Sequence, residues 1–250
     1  MCLVVLAWKV AAGERVALAG NRDEFHARPT APMDWWGVPP LLAGRDLSAG
    51  GTWLGLDRRG RFAVITNFRG AATPARAPSR GTLIPRFLTG SRAPAEFLHA
   101  LALEAGRYAG FSLLLGDEES LGYFCNSVPE PPRLLPAGVY GLSNATLDAP
   151  WPKLVQSRAA LSARLDAAAL SPDDLIEAVA DRRLAADAEL PDSGVGIELE
   201  RRLSPAFIVG ADYGTRSSTA LRLDEQGRGV VLERSYGADG TTTSSSRFTL

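Results

Sequence analysis

The chain has 250 residues, compatible with one large domain or two small ones and long enough to bury a sizeable core. It is 46% hydrophobic and 22% charged, and 27 basic side chains balance 28 acidic ones for a net charge of −1. That balance excludes long-range attraction to nucleic acid or to an anionic membrane surface, and two cysteines, Cys2 and Cys125, make neither a disulfide framework nor a zinc site.

Residues 2–8 predict a short buried strand rich in Val and Leu. The run stops at Lys9 and lacks a basic flank, so it reads as a strand rather than a signal peptide. No stretch approaches the roughly 18 apolar residues that span a bilayer, and we expect a cytoplasmic protein without stable membrane insertion. The turn at residues 11–14 leads into a second strand over 15–20, so the chain opens on a hairpin. Pro29, Pro32, Pro39 and Pro40 mark an irregular loop. Strands follow over 41–47, 53–57 and 61–67, and residues 70–80 read as a mobile surface loop. Helices are expected over 94–106, 152–168 and 171–184, the last opening on Ser-Pro-Asp-Asp. Further strands are expected near 111–116, 121–125, 206–210, 216–224, 229–236 and 246–250. Strands cluster as hairpins and helices are grouped between them, which predicts antiparallel sheets with helices on their outer faces.

Cys2 is the sharpest chemical feature. Aminopeptidases trim Met1 ahead of a small second residue, and trimming leaves a thiol and a free α-amine on one residue. An α-amine has a pKa of roughly 7.7–8.0 and serves as a base near neutral pH, so the nucleophile carries its own base. The competing reading is a small apolar residue on a buried strand. Asn21-Arg22-Asp23-Glu24 ends the second strand of the hairpin, beside Cys2. Aspartate there accepts from an ammonium, and arginine holds a thiolate or a substrate carboxylate. If Asn21 and Asp23 face Cys2, alternation turns Arg22 to the other face unless a bulge intervenes. Polar clusters also close or open apolar runs at Thr66-Asn67-Phe68-Arg69, at Gly141-Leu-Ser-Asn144 and at Gly214-Thr-Arg216-Ser-Ser218. Asparagines at strand ends can offer amide donors to an oxyanion, or simply cap turns.

Taken together, Met1-Cys2, Gly20-Asn-Arg-Asp-Glu-Phe25, Gly50-Gly-Thr-Trp-Leu-Gly55, Thr66-Asn-Phe-Arg69, Gly141-Leu-Ser-Asn144 with Asp148-Ala-Pro-Trp-Pro-Lys153, and Tyr213-Gly-Thr-Arg-Ser-Ser218 resemble the NRDE-motif family. It is also called the Transport and Golgi organisation 2 family. The resemblance runs over nearly the whole chain and implies a single domain over 1–250. It implies an α+β fold, a four-layer αββα sandwich with two antiparallel sheets, similar to N-terminal-nucleophile (Ntn) hydrolases of the penicillin V acylase and bile salt hydrolase type. Carried over by motif, Cys2 is the nucleophile, Asp23 orients its amine, Asn67 and Asn144 form the oxyanion hole, and Arg216 supports the site electrostatically. Asn21, Arg22, Trp53 and Phe68 are the expected substrate-binding residues. One departure stands out: the acylases place an arginine three residues before the aspartate, where this chain has Gly20.

Two functions follow as expectations. The first is hydrolysis of a linear amide through a Cys2 thioester, with no cofactor and no metal. The second, implied by the family, is a binding and trafficking protein that reuses the pocket for haem or for an acyl-CoA or other lipid. Trp8, Trp35, Trp36, Trp53 and Phe68 are candidates for an apolar lining, and Cys2 or His26 for a haem ligand. Either way the expected partner is a small molecule with an apolar part.

Overall fold

The computed structural model describes residues 2–38, 40–165 and 170–250. In chain order these form β1 (Cys2–Trp8), β2 (Glu14–Phe25), β3 (Thr30–Trp35), β4 (Leu41–Asp46), β5 (Leu54–Asp57) and β6 (Phe62–Asn67). Next come α1 (Leu83–Leu88), α2 (Pro94–Ala102), β7 (Phe111–Gly116), β8 (Leu121–Cys125), β9 (Arg133–Leu135) and β10 (Gly138–Leu142). The chain continues through α3 (Pro152–Leu165), α4 (Pro172–Glu177), α5 (Ile197–Arg202), β11 (Tyr213–Asp224), β12 (Gly229–Tyr236) and β13 (Thr242–Thr249). One sheet has the order β10-β1-β2-β11-β12-β13 and the other runs β3 to β9 in sequence, with antiparallel pairing throughout.

The alternation of β1 explains the layering. Val4, Leu6 and Trp8 point into the core between the sheets with Val16, Leu18, Leu54, Phe62 and Leu114. Leu3, Val5 and Ala7 point the other way, onto Leu154 and Leu161 of α3 and Leu175 and Ile176 of α4. On the far side, Ile65, Leu113 and Leu115 pack against Leu83, Ile84 and Phe87 of α1 and Phe97 and Leu98 of α2. The result is an α+β sandwich of two antiparallel sheets with helices on both outer faces.

Several elements differ from the sequence expectation. Residues 30–35, read as irregular from their prolines, form β3. It is an edge strand with a register shift between Ala31 and Asp34, where Pro32 costs no ladder bond in the sheet interior. Residues 206–210 are not a strand; Phe207 and Ile208 run through a loop tied to Asp181 and Thr215 by backbone hydrogen bonds. The helix that begins at Pro172 has a capping box between Ser171 and Asp174 but ends at Glu177, well short of 184. The expected end of the helix from Pro152, beyond Leu165, lies outside the described residues. Among the described residues no helix is long and apolar enough to cross a membrane.

Candidate functional site

β1 places Cys2 directly opposite Arg22 of β2. Cross-strand partners share a face, so Arg22, with Gly20, Leu18 and Val16, lies on the face turned to the opposing sheet. Asn21 points to the helical layer. Its amide donates to the carbonyls of Val179 and Ala206 at 2.7 and 2.8 Å, and its Oδ1 accepts from Ser218 at 2.6 Å. The irregularity lies on β11 rather than β2: the register skips Arg216 between Thr215 and Ser217. That frees Arg216 to donate to the carbonyls of Phe25, His26 and Arg28, so it clamps the chain leaving β2.

Cys2, Arg22, Asp23, Trp53, Asn67 and Arg216 all line one cavity of about 440 Å³. Asn21, Phe68 and Asn144 do not line it. Phe68 packs half-buried against the core between the sheets. Asn144 is buried behind the cavity wall, its Nδ2 donating to the Asn67 carbonyl at 3.0 Å. Its neighbour Ser143 donates to the Cys2 carbonyl at 3.2 Å, so the segment after β10 ties the ends of both sheets together. Gly20 explains its own departure. A Cβ there would meet the Leu3 carbonyl at 2.9 Å, Val4 at 3.0 Å and the Trp53 ring at 3.1 Å. The space beside Gly20 belongs to Trp53, and the arginine on the face of Cys2 is Arg22.

The electrostatics are set by burial. Burial pushes the Cys2 thiol up; the Asp23 carboxylate pushes the same way, while Arg22 pulls it down. Asp23 is also pushed up by burial, opposed by the charge of Lys153 and by a 2.7 Å hydrogen bond from Thr215 Oγ1. Burial brings Lys153 down to about 8, with Asp23 acting in the opposite sense. The Lys153 ammonium donates to the Leu203 carbonyl at 2.9 Å. Beside it, Arg69 pairs with Glu200, both nearly fully buried, and stacks over Trp151 at 4.6 Å. Glu233 lines the cavity too, accepting from the Met33 amide at 2.6 Å, and burial pushes its carboxyl up.

Sequence reasoning assigned no role to Lys153, Arg69, Glu200 or Glu233. Arg69 and Lys153 each end a segment that carries the family resemblance, and that was the available signal. Glu200 and Glu233 left none, because both sit in ordinary amphipathic patterns. Among the described residues no group of three or more His, Cys, Asp or Glu side chains could hold a metal ion.

A second cavity, of about 780 Å³, adjoins the first, and Glu24 and Asn67 line both. Its wall is mainly apolar, with Phe25, Leu184, Leu199, Leu203, Phe207 and Val209.

A sequence model of the Transport and Golgi organisation 2 family matches residues 1–238. The chain is 34% identical over 245 residues to the Bos taurus Transport and Golgi organization protein 2 homolog, covering 91% of this chain and 89% of that one. It is 35% identical over 238 residues to the Homo sapiens homolog, covering 88% and 86%. Among solved structures, the fold is similar to that of a C2A mutant of conjugated bile acid hydrolase from Clostridium perfringens. There the TM-score is 0.55 and the identity 8%, over 99% of this chain and 92% of that one. It is also similar to a Caenorhabditis elegans orthologue of N-acylethanolamine-hydrolyzing acid amidase, with TM-score 0.52 and 9% identity over 90% and 93% of the two chains. At these identities the likeness is one of fold.

Proposed function

The chain belongs to the Transport and Golgi organisation 2 family, and we propose that it binds and carries an amphipathic small molecule, with its tail in the apolar cavity and its polar end in the Cys2 cavity. The observation that carries this reading is the adjacency of the two cavities, which share Glu24 and Asn67 in their walls. A mostly apolar cavity of about 780 Å³ with a polar annex has the size and character of a small-molecule site. Its mouth leaves Phe25 58% and Leu184 61% exposed, an apolar surface that a bound tail would cover.

An acyl-type ligand suits this arrangement better than haem. The two candidate axial ligands are separated in role: Cys2 lines the polar cavity, whereas His26 lines neither cavity and holds the Gly210 carbonyl at 3.0 Å. The reading is tested by titrating wild type and Cys2→Ala with N-acylglycines of increasing chain length. Binding should saturate, survive in Cys2→Ala, and tighten about three- to fourfold per methylene until the tail is buried. Affinity that is absent, or indifferent to chain length, contradicts it.

The adjacency of Cys2 and Asp23 on neighbouring strands favours a second reading, amide hydrolysis in an Ntn-type fold. Once Met1 is removed, the α-amine takes the thiol proton and the sulfur attacks the amide carbonyl. The amine leaves with that proton, and water then cleaves the thioester, returning the thiol and releasing the acid. On this reading, turnover of an N-acyl amide is lost in Cys2→Ser; turnover that persists in Cys2→Ala excludes it.

A further inference from the structure

Five arginines line the Cys2 cavity, and they are not equally neutralised. Arg28 and Arg22 share Asp46, at 2.7 and 3.5 Å. Arg216 donates from Nη1 to three backbone carbonyls, and the exposed Arg45 stacks on Trp36 at 4.8 Å. Arg80 differs. It is half-buried, and its Nη1 donates to the Gly110 carbonyl at 2.8 Å. No carboxylate pairs with it among the described residues, and the Cys2 thiol is the ionisable group that acts on its charge.

The position of Arg80 is fixed rather than incidental. The next residue, Gly81, accepts a hydrogen bond from the Thr52 amide at 3.1 Å, and the backbones of Gly51 and Gly81 approach so closely that a Cβ on Gly51 would lie 2.4 Å from Gly81. The two glycines let the turn at Arg80–Thr82 dock against the entry to β5. That docking and the bond to Gly110 hold a guanidinium at the cavity wall with donors to spare. A partly desolvated cation without a counter-ion is unfavourable until an anion joins it. The thiol is no such anion near neutral pH, because burial keeps it protonated.

We propose that Arg80 is the anion-recognising residue of the Cys2 cavity, and that the molecule whose polar end enters there carries a carboxylate. The planar guanidinium fork matches that group. This deepens the reading of the cavity as a ligand site and rests on it, but it holds whether the ligand is carried or cleaved.

The test needs no knowledge of the natural ligand. Cys2 is alkylated with iodoacetate and, separately, with iodoacetamide, reagents alike in size that differ by one negative charge. Modification is followed on the Cys2 peptide by mass spectrometry, in wild type, Arg80→Gln and Arg80→Lys. The ratio of iodoacetate to iodoacetamide rate constants should fall about tenfold in Arg80→Gln and be largely kept in Arg80→Lys. In wild type the ratio should also fall as salt is raised. Should Arg80→Gln fail to fold, Arg80→Met, which keeps the apolar stem without the charge, takes its place with the same expected fall. An unchanged ratio in Arg80→Gln overturns the proposal. So does a parallel loss of both rates, which would mean that Arg80 acts on the sulfur, and so does a Cys2 that iodoacetate never reaches. Chain-length dependence of binding is a separate readout, so failure of the carrier reading and failure of this proposal are told apart.

Discussion

Cys2 and Arg22 stand directly opposite each other across β1 and β2, on the face that the two sheets turn toward one another. The pairing puts a guanidinium beside the thiol, with Asp23 following at the strand end. Burial and these two neighbours act on the sulfur in different senses. Burial and Asp23 raise its pKa, and Arg22 lowers it. The pH profile of iodoacetamide alkylation at Cys2 should therefore have its midpoint above the ordinary thiol value. Arg22→Gln should move it further up and Asp23→Asn should move it down. Each step should be about one unit, a tenfold change in thiolate at a fixed pH below the midpoint. Shifts of the opposite sign would mean that another charge governs the thiol.

Gly20 should not accept a side chain. A Cβ at this position lies within 3.1 Å of Leu3, Val4 and Trp53. Gly20→Ala is expected to destabilise the fold by about 1–3 kcal/mol, the usual cost of forcing atoms into a packed core. Urea denaturation measures it. Trp53→Ala in the same chain should relieve part of that cost, because the indole is one of the three neighbours.

Lys153 should leave a signature in the pH dependence of stability. Its pKa is about 8 in the folded protein, against 10.5 ordinarily. Between those values the unfolded chain binds more protons than the folded one, so stability from this group rises as pH climbs from about 8 toward 10.5. The Cys2 thiol, raised by burial, works in the opposite direction above pH 9. The informative quantity is thus the difference between wild type and Lys153→Met. Relative to wild type, the variant should lose stability on going from pH 7.5 to 10, by on the order of 1–3 kcal/mol. An identical pH dependence in both proteins would place the lysine in water.

The apolar cavity should be open to disruption without loss of the fold. Leu184 and Leu199 line it and are 61% and 40% exposed. Leu184→Glu with Leu199→Glu sets two carboxylates where a tail would lie. Affinity for a long-chain N-acylglycine should fall at least tenfold, while that for acetylglycine and the unfolding midpoint should hardly change. Equal losses for both ligands would locate the tail elsewhere.

Much of this architecture was legible in the residues. The opening strand, β7, β8 and β12 follow from apolar runs bounded by turn signals, and their ends agree with the sequence reading. β2 runs to Phe25 rather than Gly20, because Asn21 and Asp23 are buried and hydrogen-bonded, and Arg22 is buried against Asp46 and Thr30. A polar run looks like a turn until its tertiary partners are known. The face of Arg22 was also open, since alternation alone left the phase to a bulge whose strand could not be identified. Arg80 was hidden for a different reason. Its stretch, rich in Ala, Pro and Arg, has a loop composition, and only the contact between Gly51 and Gly81 turns its end into a cavity wall. The Arg69–Glu200 ion pair and the action of the Lys153 charge on Asp23 join residues more than a hundred positions apart, and no local pattern encodes them.

On the proposed function, the two adjoining cavities hold one amphipathic molecule. Photolabelling with an N-acylglycine that carries a diazirine at the end of its tail tests it most directly. After irradiation and peptide mapping, label is expected on the segments that hold Leu184, Leu199, Phe207 and Val209. That label should be competed away by unlabelled ligand and lost in the Leu184→Glu, Leu199→Glu variant. Saturable label confined to other surfaces, or label on these segments that no competitor displaces, would contradict it.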